Sequence, residues 1–267
     1  MINAQERNQQ IYSGQVDIDA WFKITSIDYE LLINTINWRD LLNKKSRLLD
    51  IGCGTGRFPQ LLASHINQDN YLVYDILDPS CFCIKECKKI ITSHKPYVLG
   101  RCFSSTLEDS TLIPNEYDII WSIHSLYNSK KDTLKESFIK IIKSLKNNGV
   151  AIVFIADSDS FYCRFYQLVI RVIHKGRIPK WNSSNDVISI LNNLSVNFKI
   201  KKINFCHQIK KTDEHILETY LNKNAYECHS LDFWFKNKEI GHFLYRFLYR
   251  EKYIFYQNIS IIKIDKG

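Results

Sequence analysis

Residues 48–58 read LLDIGCGTGRF, and they hold three of the nine glycines in a 267-residue chain: Gly52, Gly54 and Gly56. The stretch RLLDI before them is a short β-type run, and GRFPQLLASHI after them resumes helical spacing, so residues 47–66 read as strand, tight loop and helix. Glycine tolerates φ > 0 and lets a ligand approach the main chain with no Cβ in the way. A dinucleotide fingerprint places its third glycine three residues after the second. Here the glycines are evenly spaced, Asp50 stands two residues before the first, and Arg57 follows the third, a pattern that favours a ligand without a pyrophosphate.

Outward from this loop the unit repeats. NYLVYDIL is a second strand ending in the turn Asp78-Pro79-Ser80, which also starts a helix over CFCIKECKKIITSH. YVLGRCF reads as a third strand, YDIIWSI (117–123) as a fourth, TLKESFIKIIKSLK as an amphipathic helix, and VAIVFIA (150–156) as a fifth strand opened by the turn KNNG. Residues 1–45 carry apolar positions at helical spacing (Ile27, Leu31, Ile33, Ile36, Leu41) and read as N-terminal helices. Beyond residue 157 the alternation gives way to the aromatic-rich DSFYCRFYQLVIRVIHKGRIPKW, a helix around 184–194, the strand FKIKKINF, a helical stretch near 212–224 and a last strand, YIFYQNISIIKID. Seven strands alternating with helices predict an α/β class, a doubly wound, mostly parallel sheet with ligands beyond the carboxyl ends of its strands. The expected organisation is one domain over 1–267, with 1–45, 157–185 and 205–250 covering the substrate.

Composition narrows the class. With 45% hydrophobic and 24% charged residues, the chain has the balance of a soluble globule, and its longest apolar runs are too short to cross a bilayer. MINAQERNQQ lacks the basic start and apolar core of a signal peptide, so a cytoplasmic location and reduced thiols are expected. CFCIKEC lacks the paired spacing of a zinc site, and no metal is expected. The net charge of +8 comes from scattered lysine pairs rather than a basic block, which reads as solvated surface and not as a nucleic-acid footprint.

LLDIGCGTG resembles the first motif of the class I S-adenosylmethionine-dependent methyltransferases, and the later elements follow in that family's order. The resemblance implies a Rossmann-like methyltransferase fold with S-adenosylmethionine as cofactor. It places Asp50, Gly52 and Gly54 in the cofactor loop, and Asp78 on the ribose hydroxyls, with Asp75 as the competing acid on the same strand. Ser104 to Asp109, Ser105 among them, falls near the adenine, and Ile123 with His124 at the methyl-transfer site. A carboxylate suits a vicinal diol, and backbone N–H groups suit an amino-acid tail.

YDIIWSIHSLYN and YQNISIIKI are further similar to the fourth and last strands of histamine N-methyltransferase and its relatives. That similarity implies a small amine substrate facing Asp28, His124 and Asn258, with Tyr127 and Asn128 nearby; His124 stands where the relative has an amide. In this reading Asp28 anchors the cationic part of the substrate and His124, with an ordinary pKa of roughly 6.5, takes or relays a proton, the two together forming the catalytic pair. The aromatics Phe161, Tyr162, Phe165, Tyr166, Trp181, Phe233, Trp234 and Phe243 suit pocket walls or core. The alternatives are an O- or C-methyltransferase of a natural product and an RNA or protein methyltransferase; for the latter, IHSLYN stands where amino-methylating nucleic-acid enzymes carry an Asn-Pro-Pro-aromatic motif.

Overall fold

Residues 17–42 and 45–266 are described by the computed structural model; residues 1–16, the start of the expected N-terminal helices, lie outside the described residues. Asp17 opens helix α1 (Ile18–Thr35) by accepting the Ala20 N–H at 2.9 Å, the usual device for an orphan amide at a helix start. The inward face of α1 runs through Trp21, Thr25, Asp28, Tyr29, Leu32 and Ile33. Ile27 and Leu31, expected on that face, sit at its margin, and two polar residues, Thr25 and Asp28, are buried in their place. Helix α2 is a single turn, Trp38–Leu41.

The sheet follows in chain order as β1 (Lys45–Ile51), β2 (Tyr71–Leu77), β3 (Tyr97–Phe103), β4 (Tyr117–Ile123), β5 (Leu145–Ala156), β6 (Phe198–Lys210), β7 (Leu248–Tyr249) and β8 (Lys252–Asp265). The eighth strand, beyond the seven expected, is the two-residue β7, which folds back on β8. The order is β3-β2-β1-β4-β5-β8-β6, with β8 antiparallel between β5 and β6 and the first five strands parallel. β5 begins before the expected turn: Tyr117 pairs with Leu145, the register shifts, and Ile119 pairs with Val150. Between β1 and β4 run helix α3 (Arg57–Leu62) and helix α4 (Cys81–Ser93), and α5 (Lys131–Ser144) leads into β5. Helices flank the central sheet as the alternating pattern requires.

Asp50 pairs with Ile76 on one side and Trp121 on the other, so β1, β2 and β4 end level. The glycine loop, Asp78 and His124 therefore emerge on one edge, at the carboxyl ends of the strands. Asp75 points elsewhere. Its fully buried carboxylate takes Arg47 Nη2 at 2.8 Å, Arg101 Nε at 3.1 Å, the Arg101 amide at 2.8 Å and the Tyr117 hydroxyl at 2.9 Å. Gly100 makes room for it, since a Cβ there would stand 1.9 Å from Asp75 Oδ1. The Asp75 carboxylate is used in tying β1, β2, β3 and β4 together, which leaves Asp50 and Asp78 as the acids at this edge.

After β5 the chain builds a helical cover from α6 (Phe161–Val172), α7 (Ser184–Asn193), α8 (Glu214–Ala225), α9 (Leu231–Lys236) and α10 (Lys238–Tyr245). Phe161 lies 4.2 Å from Phe255 and Phe165 5.5 Å from Trp234, ring centre to ring centre, and Phe243 stacks on both Phe161 and Phe165. Phe161, Phe165, Trp234 and Phe243 are thus the core of the cover and not walls of the cleft.

Candidate active site

The three glycines that open the sequence do three different jobs. At Gly52 (φ +71°) a Cβ would meet Ser125 Cβ at 2.2 Å, and at Gly56 (φ +81°) it would meet Cys87 Cα at 3.1 Å, so both are small because protein packs against them. At Gly54 (φ +53°) nothing lies within 4 Å. Only there is the main chain bare toward open space, and Gly54 lines a cleft with an empty volume of about 800 Å³ counted out to solvent. Below the loop, the Ser125 hydroxyl donates to the Ile51 carbonyl at 2.6 Å and lies 2.6 Å from Ser122 Oγ, locking the end of β4 to the end of β1. Asp78 pins the loop from the other side, accepting the Gly54 N–H at 3.0 Å and the Ser80 N–H at 2.8 Å. Burial raises the Asp78 carboxyl above its ordinary range, with the Ser80 and Gly54 amides acting against that.

Asp50, Gly52, Cys53, Thr55 and Arg57 share the loop side of the cleft. Burial pushes the Asp50 carboxyl up to about 7, although Tyr74 donates to it at 2.7 Å. Arg57 bonds Gln60 through Nη1 at 3.1 Å and lies over the Phe22 ring, while its Nε and the indole N–H of the neighbouring Trp21 are buried with no hydrogen-bond partner. Backbone open at Gly54 and two orphaned donors beside it form a cradle for an anionic tail. Ser105 does not join it: it follows β3 on the same edge but is not on the cleft, and Asp109 closes a local turn by accepting the Thr106 hydroxyl at 2.7 Å.

The far side of the cleft is aromatic: Trp21, Tyr29, Tyr127, Tyr162, Trp181 and Tyr226 line it with Ile123 and His124. Trp181 sits in the loop between α6 and α7, which Asn182 fastens to the turn after β4 through its amide on the Tyr127 carbonyl (2.9 Å) and its side chain on those of Leu126 (3.0 Å) and Ser129 (2.7 Å). Trp181 therefore stacks between Tyr127 and Tyr166, 4.8 and 4.2 Å away. Asn128 does not reach the cleft; its Nδ2 donates to Tyr226 Oη at 3.2 Å and steadies that wall instead. From α8 come Lys223, whose Nζ lies 5.5 Å from the Trp21 ring centre and 5.2 Å from that of Tyr226, and Asn224. Burial brings the Lys223 ammonium down to about 7, against the opposing pull of Cys83 and Asp78.

His124 ends β4 in the left-handed region (φ +52°), a conformation that costs a non-glycine residue free energy and tends to mark functional sites. Its Nδ1 shares a hydrogen bond with the Tyr127 hydroxyl at 2.7 Å, and that hydroxyl also accepts the Ala156 amide at 3.0 Å. Its Nε2 lies 3.0 Å from Asp28 Oδ2, an ion-pair contact not aligned as a hydrogen bond. Both nitrogens thus face protein, and the ring alone borders the cleft.

Asp28 is not where a substrate cation could reach it. Fully buried behind His124, it accepts the Tyr162 hydroxyl at 2.8 Å on Oδ2 and bonds His207 Nε2 at 2.6 Å on Oδ1. Burial works to raise its pKa, and the His207 and His124 rings more than offset that, holding the carboxyl well below the usual range. His207 Nδ1 in turn meets Tyr220 Oη at 2.8 Å, and Gln257 Nε2 donates to the same hydroxyl at 3.0 Å. The last-strand amide in this network is Gln257 and not Asn258: alternation along β8 turns neighbouring side chains to opposite faces, and Asn258 meets the network with neither its side chain nor its backbone.

Residues 49–151 match the family model described as a methyltransferase domain. No curated protein matches the sequence. Among solved structures, YcgJ of Bacillus subtilis is similar at 15% identity and a TM-score of 0.61, covering 90% of this chain and 98% of that one. Geranyl diphosphate C-methyltransferase from Streptomyces coelicolor, solved with S-adenosylhomocysteine, is similar at 13% identity and a TM-score of 0.53, covering 92% and 80%. A Thermotoga maritima SAM-dependent methyltransferase described as "possible histamine N-methyltransferase" is similar at 16% identity and a TM-score of 0.50, covering 94% and 95%. Residues 49–151 are thus a methyltransferase domain, built on a Rossmann-like sheet. The cofactor that the sequence resemblance implies is S-adenosylmethionine. The open backbone at Gly54 and the orphaned donors of Arg57 and Trp21 fit the amino-acid tail of that cofactor.

Proposed function

We propose that this enzyme methylates the nitrogen of a small amine held in the aromatic half of the cleft. When bound, the cofactor supplies an electrophilic methyl on a sulfonium. Gly54, Arg57 and Trp21 hold its carboxylate end, Asp78, which pins Gly54 but does not itself line the cleft, meets the ribose hydroxyls where the cofactor crosses the loop, and Ile123 borders the methyl. The N-terminal helix α1, the Trp181 loop and the end of α8 cover the acceptor, so that transfer proceeds from a held and aligned nucleophile, worth up to roughly 7–11 kcal/mol in well-oriented systems.

The observation that carries the choice of nitrogen is the aromatic wall of the cleft beside a histidine whose nitrogens both face protein. An amine attacks in its neutral form, and burial among apolar walls disfavours the ammonium, so the chamber itself prepares the nucleophile. A phenol or alcohol has to give up its proton as it attacks, and the same burial opposes its anion. The aromatic faces still attract the incoming ammonium by cation–π contact. His124 in this reading is a wall fixed by Asp28 and Tyr127, a positioning residue in place of the base that its place in the sequence suggests.

Matched panels of small amines and phenols, assayed for methyl transfer with the purified protein, test the proposal. Amines are expected to turn over and phenols not, and His124→Gln is expected to stay within about tenfold of the parent enzyme on the best amine. Methylation of phenols alone would overturn the choice of atom. A loss of roughly 10²- to 10⁴-fold in His124→Gln, the range of a positioned acid–base group, would return His124 to the role of base.

A further inference from the structure

His207 on β6 does not line the cleft, and its side chain is fully buried. Three elements meet on its ring: α1 through Asp28, α8 through Tyr220 and β8 through Gln257. Which nitrogen carries the proton follows from the donors around it. Gln257 Oε1 accepts the Ser160 hydroxyl and, at 3.4 Å, the Tyr162 backbone N–H, which can only donate; the other end of that amide, Nε2, therefore faces His207 as a donor. Gln257 Nε2 also donates to the Tyr220 hydroxyl at 3.0 Å, which leaves that hydroxyl its own hydrogen to give to His207 Nδ1 at 2.8 Å. Nδ1 accepts, so the ring proton sits on Nε2 and is directed at Asp28 Oδ1 at 2.6 Å.

Among the described residues this is the one hydrogen bond to Asp28 Oδ1, while Oδ2 takes the Tyr162 hydroxyl at 2.8 Å and faces His124 Nε2 at 3.0 Å. The torsion that turns a carboxylate about its Cβ–Cγ bond is broad, so its setting comes from its partners. His124 and Tyr162 border the cleft, and so does Asn224, one turn beyond Tyr220 on α8. His207 thus stands behind walls contributed by β4, α6 and α8.

Resting on the reading of the aromatic wall as the acceptor's seat, we propose that His207 is a positioning residue for the methyl acceptor: its Nε2–H fixes the rotation of the Asp28 carboxylate, and the carboxylate sets the His124 ring and the Tyr162 side chain against which the acceptor lies. The glycine loop is held instead by Ser125 and Asp78. Loss of the His207–Asp28 bond is therefore felt by the acceptor and not by S-adenosylhomocysteine.

Substitutions at His207 separate its two ring nitrogens. His207→Gln places an amide nitrogen where Nε2 stands and keeps a donor to Asp28. His207→Asn places its amide near the Nδ1 position, keeps a partner for Tyr220 and Gln257 and gives up Asp28, and His207→Phe fills the ring volume with neither. Each variant is assayed for S-adenosylhomocysteine affinity, for kcat and KM on the amine or phenol that the parent turns over best, and for the imidazole nitrogen NMR shifts of His124. His207→Asn and His207→Phe should raise KM roughly 10-fold or more, the scale of one hydrogen bond to a charged group, and move the His124 shifts; His207→Gln should stay within about threefold of the parent, and S-adenosylhomocysteine affinity within about twofold in all of them. His207→Gln and His207→Asn each give up buried hydrogen bonding, so a role in stability alone predicts the same KM for both. Equal KM in those two, a KM unmoved in both His207→Asn and His207→Phe, or S-adenosylhomocysteine affinity falling in step with KM overturns the inference. The same split in KM on a phenol, with amines inert, keeps His207 in its role and overturns the choice of nitrogen. If no amine or phenol is methylated, the His124 shifts decide: displaced in His207→Asn and kept in His207→Gln, they support the inference, and unmoved in both they overturn it.

Discussion

Asp28→Ala is expected to lower stability by about 3–5 kcal/mol, the range found when one partner of a buried ionic cluster is removed. Nothing in the loss comes from a substrate contact. The alanine strands His207, fully buried with its Nε2 turned to the missing carboxylate at what was 2.6 Å, and it frees the Tyr162 hydroxyl and His124 Nε2. His124 then loses one of the two contacts that fix its ring, so turnover falls with stability. The pH dependence has a definite sign. The folded-state pKa of Asp28 lies below its ordinary 3.8, so the unfolded chain binds the extra proton first. The stabilisation is full above the unfolded value and drains away as pH falls through and below it. Urea unfolding across the acid range checks both points: the parent protein should lose stability more steeply than Asp28→Ala below about pH 4, where the unfolded carboxyl takes up its proton. Equal slopes for the two proteins would mean that Asp28 is not held ionised by its histidines.

Gly54→Ala separates fold from cofactor. A Cβ at Gly54 meets no protein atom within 4 Å, so the fold bears only the cost of a left-handed alanine at φ +53°, roughly 1–2 kcal/mol. In the proposed arrangement the same methyl would stand where the cofactor tail lies against the main chain. Overpacking by one methyl costs about 1–3 kcal/mol, so affinity for S-adenosylmethionine should fall roughly 10- to 100-fold by calorimetry. Gly52→Ala is the control, because its Cβ would collide with Ser125 Cβ at 2.2 Å and should damage the fold itself. Cofactor affinity unchanged in a folded Gly54→Ala would remove the glycine loop from the binding site.

What the sequence made legible was periodic or punctuated. The strand and helix order is carried by alternating apolar runs and by glycine, Asp-Pro and Asn-Gly breaks, and it positioned Asp50, Gly54, Asp78, Ile123 and His124 at one edge because a parallel sheet puts its ligands there. What it hid depends on burial and on sheet register. Asp28 and Thr25 are polar residues on the inner face of an apparently apolar helix, and periodicity alone reads such positions as surface. Gln257 replaces Asn258 because a strand alternates at every residue, so an error of one position exchanges the site for the opposite face. His207, Lys223 and Asn224 come from a strand and a helix far along the chain, with no local motif; only the topology, which lays β6 beside β8 and α8 against α1, brings them to Asp28 and Trp21. Tyr162 and Trp181 were picked out with Phe161 and Phe165, and nothing in their spacing separates wall from core.

The central claim is that one cleft holds the cofactor on the glycine loop and the acceptor under the aromatic cover, with the transferred methyl between them. A crystal structure of the protein with S-adenosylhomocysteine tests it most directly. The account predicts the amino-acid tail on the Gly54 backbone and Arg57, the ribose at Asp78, and the sulfur beside Ile123, facing the chamber of Tyr127, Tyr162 and Trp181. A bound S-adenosylhomocysteine whose sulfur faces bulk solvent or the Asp75 cluster, with the aromatic chamber closed off from it, would contradict the account.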